Sequence, residues 1–290
     1  MEVLIIGGSG FIGRNLIEGA PKDWKIRATY CNSTDFEEFA KKNNIEAIKL
    51  DLTQENIPNL GSADVVIYMP AVGPGMLKTN PNAGAYTYTL TADGVNKVVN
   101  AMDHIGKFIY TSSGVIYLRN NNSDYRKARI IGEANVLGAA REKGFEYVIL
   151  RNMEIYGKYM PKYKIYRRLM EACMKKEKVF KVDGDGKNYL DTMYIQDYVE
   201  GMIAAIRSDN VDVIVDYGRG KPATLLELSA TIAKVCDNEG FKLECSGKAS
   251  EDTRFAVDNE DFFKVFGVKA KTDLFDGLKK WKEEGLLWKL

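Results

Sequence analysis

Two side chains in the stretch SDYRKARIIGE (123–133) have the types and the spacing for proton chemistry: Tyr125 and Arg129. They stand four residues apart, so a helix carries both on one face. A tyrosine hydroxyl ionises near pH ~10 and is too weak a base at neutral pH unless a fixed cation steadies its phenolate. A guanidinium can supply that charge and bond a ribose hydroxyl, but it cannot give up a proton to a relay. The alternative for Arg129 is a solvated helix arginine.

A second group of residues suits phosphate. In IIGGSGFIGRN, Gly7, Gly10 and Gly13 follow the first apolar run with the spacing G-x-x-G-x-x-G. Gly7 permits a tight turn, Gly10 lets the backbone approach a pyrophosphate, and Gly13 lets the following helix pack on the strand. The helix N-terminus adds N–H groups and a partial positive charge. Ser9, Phe11, Ile12 and Arg14 complete this cofactor-binding segment. The alternative is a merely structural turn. A carboxylate closing the second strand would favour NAD, yet TYCNST offers Tyr30, Cys31, Asn32 and Ser33, and the nearest acid, Asp35, lies further along. Arg14 and Asn32 are placed to take a 2′-phosphate, so the reading leans to NADP over NAD. Asp51 and Leu52, after the third strand, are placed to contact adenine, with a simple loop cap as the other reading of Asp51.

These residues need a scaffold. Six short apolar runs, EVLIIG (2–7), KIRATY (25–30), EAIKLD (46–51), DVVIYM (64–69), KFIYTS (107–112) and EYVILR (146–151), alternate with amphipathic stretches. Continuous apolarity suits strands buried on both faces, and alternation of strand and helix predicts a doubly wound α/β parallel sheet, a Rossmann fold. In ADGVNKVVNAM, Val95, Val98, Val99 and Met102 share a helical face. Beyond Gly157 the pattern loosens. A basic segment (158–181) holds an amphipathic helix through Ile165, Leu169, Ala172 and Cys173. A helix opens at the N-cap Thr224 and stops at Gly240. A closing helix turns Leu274, Leu278 and Trp281 inward. The expected division is a dinucleotide-binding domain of residues 1–157 and 192–208 and a smaller substrate domain of residues 158–191 and 209–290.

Composition excludes several classes. The chain has 290 residues, 45% hydrophobic, with a net charge of +1, so no global field draws nucleic acid or an anionic membrane. No apolar run approaches membrane-spanning length, and MEVLIIGG is too short in its apolar part for a secretion signal. Cys31, Cys173, Cys236 and Cys245 form no C-x-x-C pair, which points to a reducing, cytoplasmic setting. His104, the single histidine, reads as a surface cap before the fifth strand, and the acids show no metal-ligand spacing.

Six segments, in order, resemble the extended short-chain dehydrogenases/reductases, which include nucleotide-sugar epimerases, dehydratases and reductases. GGSGFIG resembles the family's glycine motif, YTSSGVIY (110–117) its SS-x-x-VYG strand end, and YRKARIIGE its Y-x-x-SK-x-x-GE. ILRNMEIYG resembles ILRPFNVYG, GDGKNYLDTMYIQDYVEG resembles GDG-x-Q-x-RDFVYVDDVA, and YGRGKPATLLELSATIAKV resembles IGSGEPVSLLELA. The resemblance implies Ser113 as the hydroxyl that holds the substrate oxygen, Tyr125 as acid/base and Arg129 as its cationic aide. It implies Met69 and Ala71 beside the nicotinamide, and Gly73, Ser112, Ser113, Glu154 and Arg254 on the substrate side. A homodimer acting on a small-molecule sugar-like substrate is expected. The chain departs from the pattern where Arg129 replaces a lysine, Thr91 an asparagine, Glu154 an asparagine and Leu190 an arginine. Losing a guanidinium and gaining a carboxylate weakens a pyrophosphate site. A dinucleotide-binding protein without turnover is the alternative.

Overall fold

The computed structural model describes residues 1–72, 82–118, 122–247 and 256–285. The chain divides into two compact units, residues 1–151 with 202–215, and residues 152–201 with 216–290. Compared with the division expected above, residues 152–157 and 192–201 fall in the second unit and 209–215 in the first.

The first unit is built on a parallel sheet of seven strands. In chain order these are β1 (Glu2–Ile6), β2 (Lys25–Tyr30), β3 (Glu46–Lys49), β4 (Gly61–Tyr68), β5 (Met102–Ser113), β6 (Glu146–Asn152) and the later β11 (Val213–Tyr217). Their spatial order places β1 between β4 and β2, with Val3 beside Val65 and Ile26. The strand order therefore reverses at β1 and β4, and the carboxyl ends of these two strands border the switch point where such sheets bind ligands. Leu4, Ile6, Val66, Tyr68, Phe108 and Tyr110 are fully buried on one face of the sheet. That burial explains why the central strands read as unbroken apolar runs.

Helix α1 (Phe11–Gly19) follows β1, and α2 (Phe36–Asn43) follows β2. Next come α3 (Ala83–Tyr88), a π-helical turn (Thr89–Asp93) and α4 (Gly94–Asn100), with right-handed helical backbone at both junctions. Helix α5 (Asp124–Lys143) is capped by Ser123, whose hydroxyl accepts from Arg126 N, and closes on the left-handed Gly144. Lys107, buried on β5, donates to the carbonyls of Ile206 (3.1 Å) and Ser208 (2.5 Å) at the end of a later helix.

In the second unit, β7 (Glu154–Tyr156) pairs with β10 (Thr192–Tyr194), β9 (Tyr189–Leu190) with β12 (Ala223–Thr224), and β8 (Val179–Val182) with β13 (Lys242–Cys245). Its core holds Tyr217 stacked on Phe262 at 3.7 Å, and Trp281 beside Tyr156. Two buried carboxylates tie its loops. Asp191 accepts from the amides of Arg219, Gly220 and Val257, and Asp197 from those of Lys271 and Thr272.

Several expectations need correction. Helix α4 ends at Asn100, and Met102 begins β5, so His104 is an exposed strand residue rather than a helix cap. The helix capped by Thr224 ends at Val235, well before Gly240, because Asp237 takes a left-handed conformation and Asn238 N closes on Ala233 O. Within the basic segment the helix spans Ile165–Met174, and Arg167 is buried there, bonded to Glu171 and Met160 O.

Candidate functional site

The glycine loop joins β1 to α1 at the switch point. Gly7 sits at φ +81, where a side chain is strained, and its N–H donates to the Thr29 hydroxyl at 2.9 Å. A Cβ on Gly13 would lie 2.5 Å from Gly8 O, so the helix approaches its own loop as closely as glycine allows. Gly10 N donates to Gly7 O at 3.1 Å, Ser9 N to Thr29 O at 3.3 Å, and Phe11 O accepts from the Asn15 side chain. Among the described residues no side chain caps the N-terminus of α1, and no acid stands in its first turn. Ile12 is half-buried in that turn. The loop thus offers a backbone cradle and a helix end with neither a cap nor a negative charge, which fits the diphosphate of a dinucleotide.

Arg14 is turned inward. It is 2% exposed; its Nη2 donates to Asp35 Oδ1 at 2.7 Å, its Nε to Ser9 O, and its guanidinium lies over the rings of Phe36 and Phe39. The expectation that Arg14 takes a 2′-phosphate is corrected: its charge is spent on Asp35. Asn32 remains exposed after β2, in contact with Cys31.

The remaining cofactor positions lie at the other strand ends. Asp51 accepts from Thr53 N, Thr53 Oγ1 and Gln54 Nε2, bonds that hold its carboxyl below its usual range, and so it caps its loop. The Leu52 side chain is buried in the core, while its carbonyl accepts from Lys97 at 2.9 Å. Met69 N bonds Ile6 O at 3.1 Å, which puts Met69 beside the glycine loop, and Ala71 is exposed just beyond. Gly73 and Arg254 lie outside the described residues.

Tyr125 opens α5, and Arg129 follows one turn later. Arg129 Nη2 donates to the Tyr125 hydroxyl at 3.3 Å, and its Nη1 to Thr111 O. The guanidinium is 5% exposed and lies 5.1 Å from the Tyr125 ring and 5.9 Å from the Tyr110 ring. Among the described residues no carboxylate pairs with it, and Nε has no partner. Arg129 is therefore a buried cation set against phenols, not a solvated arginine. Burial drives the Tyr110 hydroxyl up to about 12, against the pull of Arg129.

Behind this pair lies the π-helical turn. Its successive carbonyls, Leu90, Thr91 and Ala92, accept from Tyr68 Oη (2.5 Å), Tyr110 Oη (2.8 Å) and Asn135 Nδ2 (3.0 Å). Gly132 on α5 makes room: a Cβ there would lie 2.6 Å from Thr91 O and closer still to the Tyr110 hydroxyl.

Ser113 ends β5 and caps the next turn by accepting from Val115 N at 3.3 Å. That turn is tied to α5 by Arg126 Nε, which donates to Ile116 O at 3.1 Å. Ser112 points the other way. It is 2% exposed and donates to Glu133 Oε1 at 2.5 Å, so the expectation of a substrate contact from its hydroxyl is corrected. Glu133 is also held by Arg151 through Nε (3.0 Å) and Nη2 (2.7 Å), and Arg151 reaches the Tyr117 hydroxyl. Glu154, in the second unit, is half-buried on β7, and its N–H bonds Asp191 O. The sequence reading did not pick out Tyr68, Tyr110, Gly132 or Glu133; the runs YTSS and IIGE were the available signal.

The seven-stranded parallel sheet with a glycine loop at its switch point is a Rossmann-like α/β fold. The model of the NAD dependent epimerase/dehydratase family matches residues 3–216, and the chain belongs to that family, among the extended short-chain dehydrogenases/reductases. It is 24% identical over 302 residues to a putative UDP-glucose 4-epimerase of Methanocaldococcus jannaschii, with 96% of each chain covered. It is 21% identical over 328 residues to a dTDP-glucose 4,6-dehydratase of an Actinoplanes species, with 99% of each covered. The fold is shared with the Bacillus cereus UDP-glucuronic acid 4-epimerase in complex with UDP-glucuronic acid and NAD (TM-score 0.82, 19% identity, 98% of each chain). It is shared equally with a Thermotoga maritima UDP-glucose 4-epimerase solved with UDP-glucose (TM-score 0.83, 19% identity, 98% of each chain). Among the described residues no helix is long and apolar enough to cross a membrane.

Proposed function

We propose that the chain is an NAD-dependent enzyme that epimerises or dehydrates a nucleotide-linked sugar, with Tyr125 as acid/base. The observation that carries this reading is the 3.3 Å bond from the buried Arg129 guanidinium to the Tyr125 hydroxyl. A buried positive charge beside a phenol favours the phenolate, the form that removes a proton from a sugar hydroxyl. The glycine loop would hold a dinucleotide whose nicotinamide would supply reversible hydride acceptance at the sugar carbon. Ser113 holds the sugar oxygen, Tyr125 takes its proton and gives it back, and Arg129 stays charged throughout. The uncapped N-terminus of α1 and its glycine loop support diphosphate binding. Asp35, the N-cap residue of α2, takes up the charge of Arg14 and so removes that arginine as a 2′-phosphate ligand, which favours NAD. Exposed Ile130, Ile131 and Leu137 on α5 support a homodimer, and the four free cysteines suit a reducing, cytoplasmic setting.

The test is a panel of UDP- and dTDP-linked hexoses and hexuronic acids incubated with the protein and NAD. Products are identified by NMR and nicotinamide reduction is followed by absorbance. The expected result is conversion of at least one member, abolished in Tyr125→Phe with NAD binding intact. NAD binding with no conversion of any member, and no transient reduction, would favour a binding protein without turnover.

A further inference from the structure

The turn that carries Ser113 is held at both ends by one ion pair. Ser113 closes β5 and caps the short helical turn Gly114–Tyr117. On its near side, Ser112 is 2% exposed and its hydroxyl donates to Glu133 Oε1 at 2.5 Å. On its far side, the Tyr117 hydroxyl accepts from Arg151 Nη1 at 2.9 Å, and that guanidinium lies 5.4 Å from the Tyr117 ring. Between these ends Glu133 and Arg151 are joined twice, Nε to Oε1 at 3.0 Å and Nη2 to Oε2 at 2.7 Å. A two-armed bond of this kind fixes the direction of both side chains.

Three elements meet at this pair. Glu133 stands on α5 about two helical turns beyond Tyr125, and Arg151 stands on β6, the neighbour of β5 in the sheet. One carboxylate therefore links the strand that carries Ser113 to the helix that carries Tyr125. The middle of the turn is fastened to the same helix through Arg126 Nε and Ile116 O at 3.1 Å. Successive strand residues face opposite ways, so drawing Ser112 onto Glu133 turns Ser113 to the other side. A buried ion pair adds little net stability over apolar side chains of the same shape. What this one supplies is a fixed direction at each end of the turn.

We propose that Glu133 and Arg151 are positioning residues: their ion pair holds the Ser113 turn against α5, so that the hydroxyls of Ser113 and Tyr125 keep their relative placement around the sugar oxygen. The role rests on the function proposed above for Ser113 and Tyr125. A misplacement of about 1 Å in such a pair costs about a hundredfold in rate.

The test compares Glu133→Gln, Ser112→Ala and Tyr117→Phe with Val136→Ala in full-length protein. Val136 is a buried core residue of α5, so its truncation weakens the same helix and leaves the four bonds in place. The first measurement is amide exchange by NMR at Val115 and Leu118, whose N–H groups close the turn on Ser113 Oγ and Val115 O. Exchange there should rise at least about tenfold in the three variants and stay near wild type in Val136→Ala. The second is turnover of whichever UDP- or dTDP-linked sugar the panel shows to be converted. In Glu133→Gln and Ser112→Ala kcat should fall about ten- to a hundredfold, with KM and NAD affinity within about threefold of wild type. Where Glu133→Gln does not fold, Ser112→Ala, which removes one oxygen and keeps the ion pair, carries both measurements. A wild-type turn without protection, a turn that loosens equally in Val136→Ala, or an unchanged kcat overturns the positioning role. A wild-type protein that converts no sugar nucleotide overturns the reading of Ser113 and Tyr125 and the role in chemistry with it, while the exchange data still decide whether the ion pair holds the turn.

Discussion

Glycine-to-alanine exchange on α5 separates packing from helix propensity within one element. In a helix interior alanine is favoured over glycine by about 1 kcal/mol. Gly138 stands on the exposed face of α5, where a Cβ would meet nothing within 4 Å. Gly138→Ala is therefore expected to stabilise the protein by about 0.5–1 kcal/mol. At Gly132 the same methyl group would lie 2.6 Å from Thr91 O and inside contact distance of the Tyr110 hydroxyl. Both neighbours are enclosed, so the helix or the π-helical turn must shift. Overpacking costs about 1–3 kcal/mol. Losing the Tyr110–Thr91 bond in a buried place costs a further ~1–3 kcal/mol. After the propensity gain of about 1 kcal/mol, Gly132→Ala should destabilise by about 1–5 kcal/mol. Urea unfolding of the two variants beside the wild-type protein, followed by far-ultraviolet circular dichroism, measures both signs. A Gly132→Ala protein as stable as Gly138→Ala would refute the packing of α5 against Tyr110.

Calorimetric titration should show NAD binding at least about tenfold tighter than NADP, ~1.4 kcal/mol, with Asp35→Asn narrowing the gap; equal affinities would remove the argument from the Arg14–Asp35 pair. Burial lowers the Lys107 ammonium from its ordinary 10.5, so its folded form binds a proton less readily than the unfolded form. The stability of wild type relative to Lys107→Met should then be greatest above 10.5 and decline as pH falls through the folded value; a flat difference across that window counts against it. Cys173 is buried with its thiol pushed up to about 12, and Cys236 is buried with its thiol raised. A thiol reagent on native protein should therefore modify Cys31 and Cys245 first and reach the other two only on unfolding, which peptide mapping checks. Arg129→Met should leave folding stability within about 1 kcal/mol of wild type or raise it, as urea unfolding would measure; marked unfolding instead would assign the arginine a structural role.

What was legible in the sequence is what local patterns encode. KIRATY is a strand over the residues its apolar run marks, because a strand buried on both faces needs no partner to declare itself. The loop Gly7–Gly13 reads directly, since Gly7 answers a local left-handed turn and Gly10 and Gly13 answer contacts within a few residues. Tyr125 and Arg129 read as a pair because a helix brings positions four apart together. The rest depends on distant partners. Arg14 looked available for a phosphate until Asp35, 21 residues on, closed over it. Ser112 looked like a second active-site hydroxyl, yet successive strand residues face opposite ways, and it turned to Glu133, 21 residues away. Tyr110 sat in an apolar run and read as core, because a π-helical turn at Thr89–Asp93 leaves no periodic trace in TLTAD. Its acceptor Thr91 had drawn notice as a missing asparagine side chain, whereas the structure uses its backbone carbonyl.

The exchange of lysine for arginine at position 129 would look like damage if the residue stood by itself. Charge burial argues otherwise. A guanidinium in the interior without an acid costs several kcal/mol, and apolar side chains of similar size in such places are neutral or more stable. Packing therefore gives no reason for a cation here. Its hydrogen bonds offset only part of that cost: Nη1 donates to Thr111 O, but Nε lacks a partner and the Tyr125 contact is long at 3.3 Å. The net benefit must come from a state in which negative charge appears nearby, because a guanidinium–phenolate bond is charge-assisted on both sides and roughly twice as strong as a neutral one. On the function proposed above, that state is an ionised Tyr125. On that reading, the cost carried in the resting form is offset when the phenol gives up its proton, which is the property a general base requires.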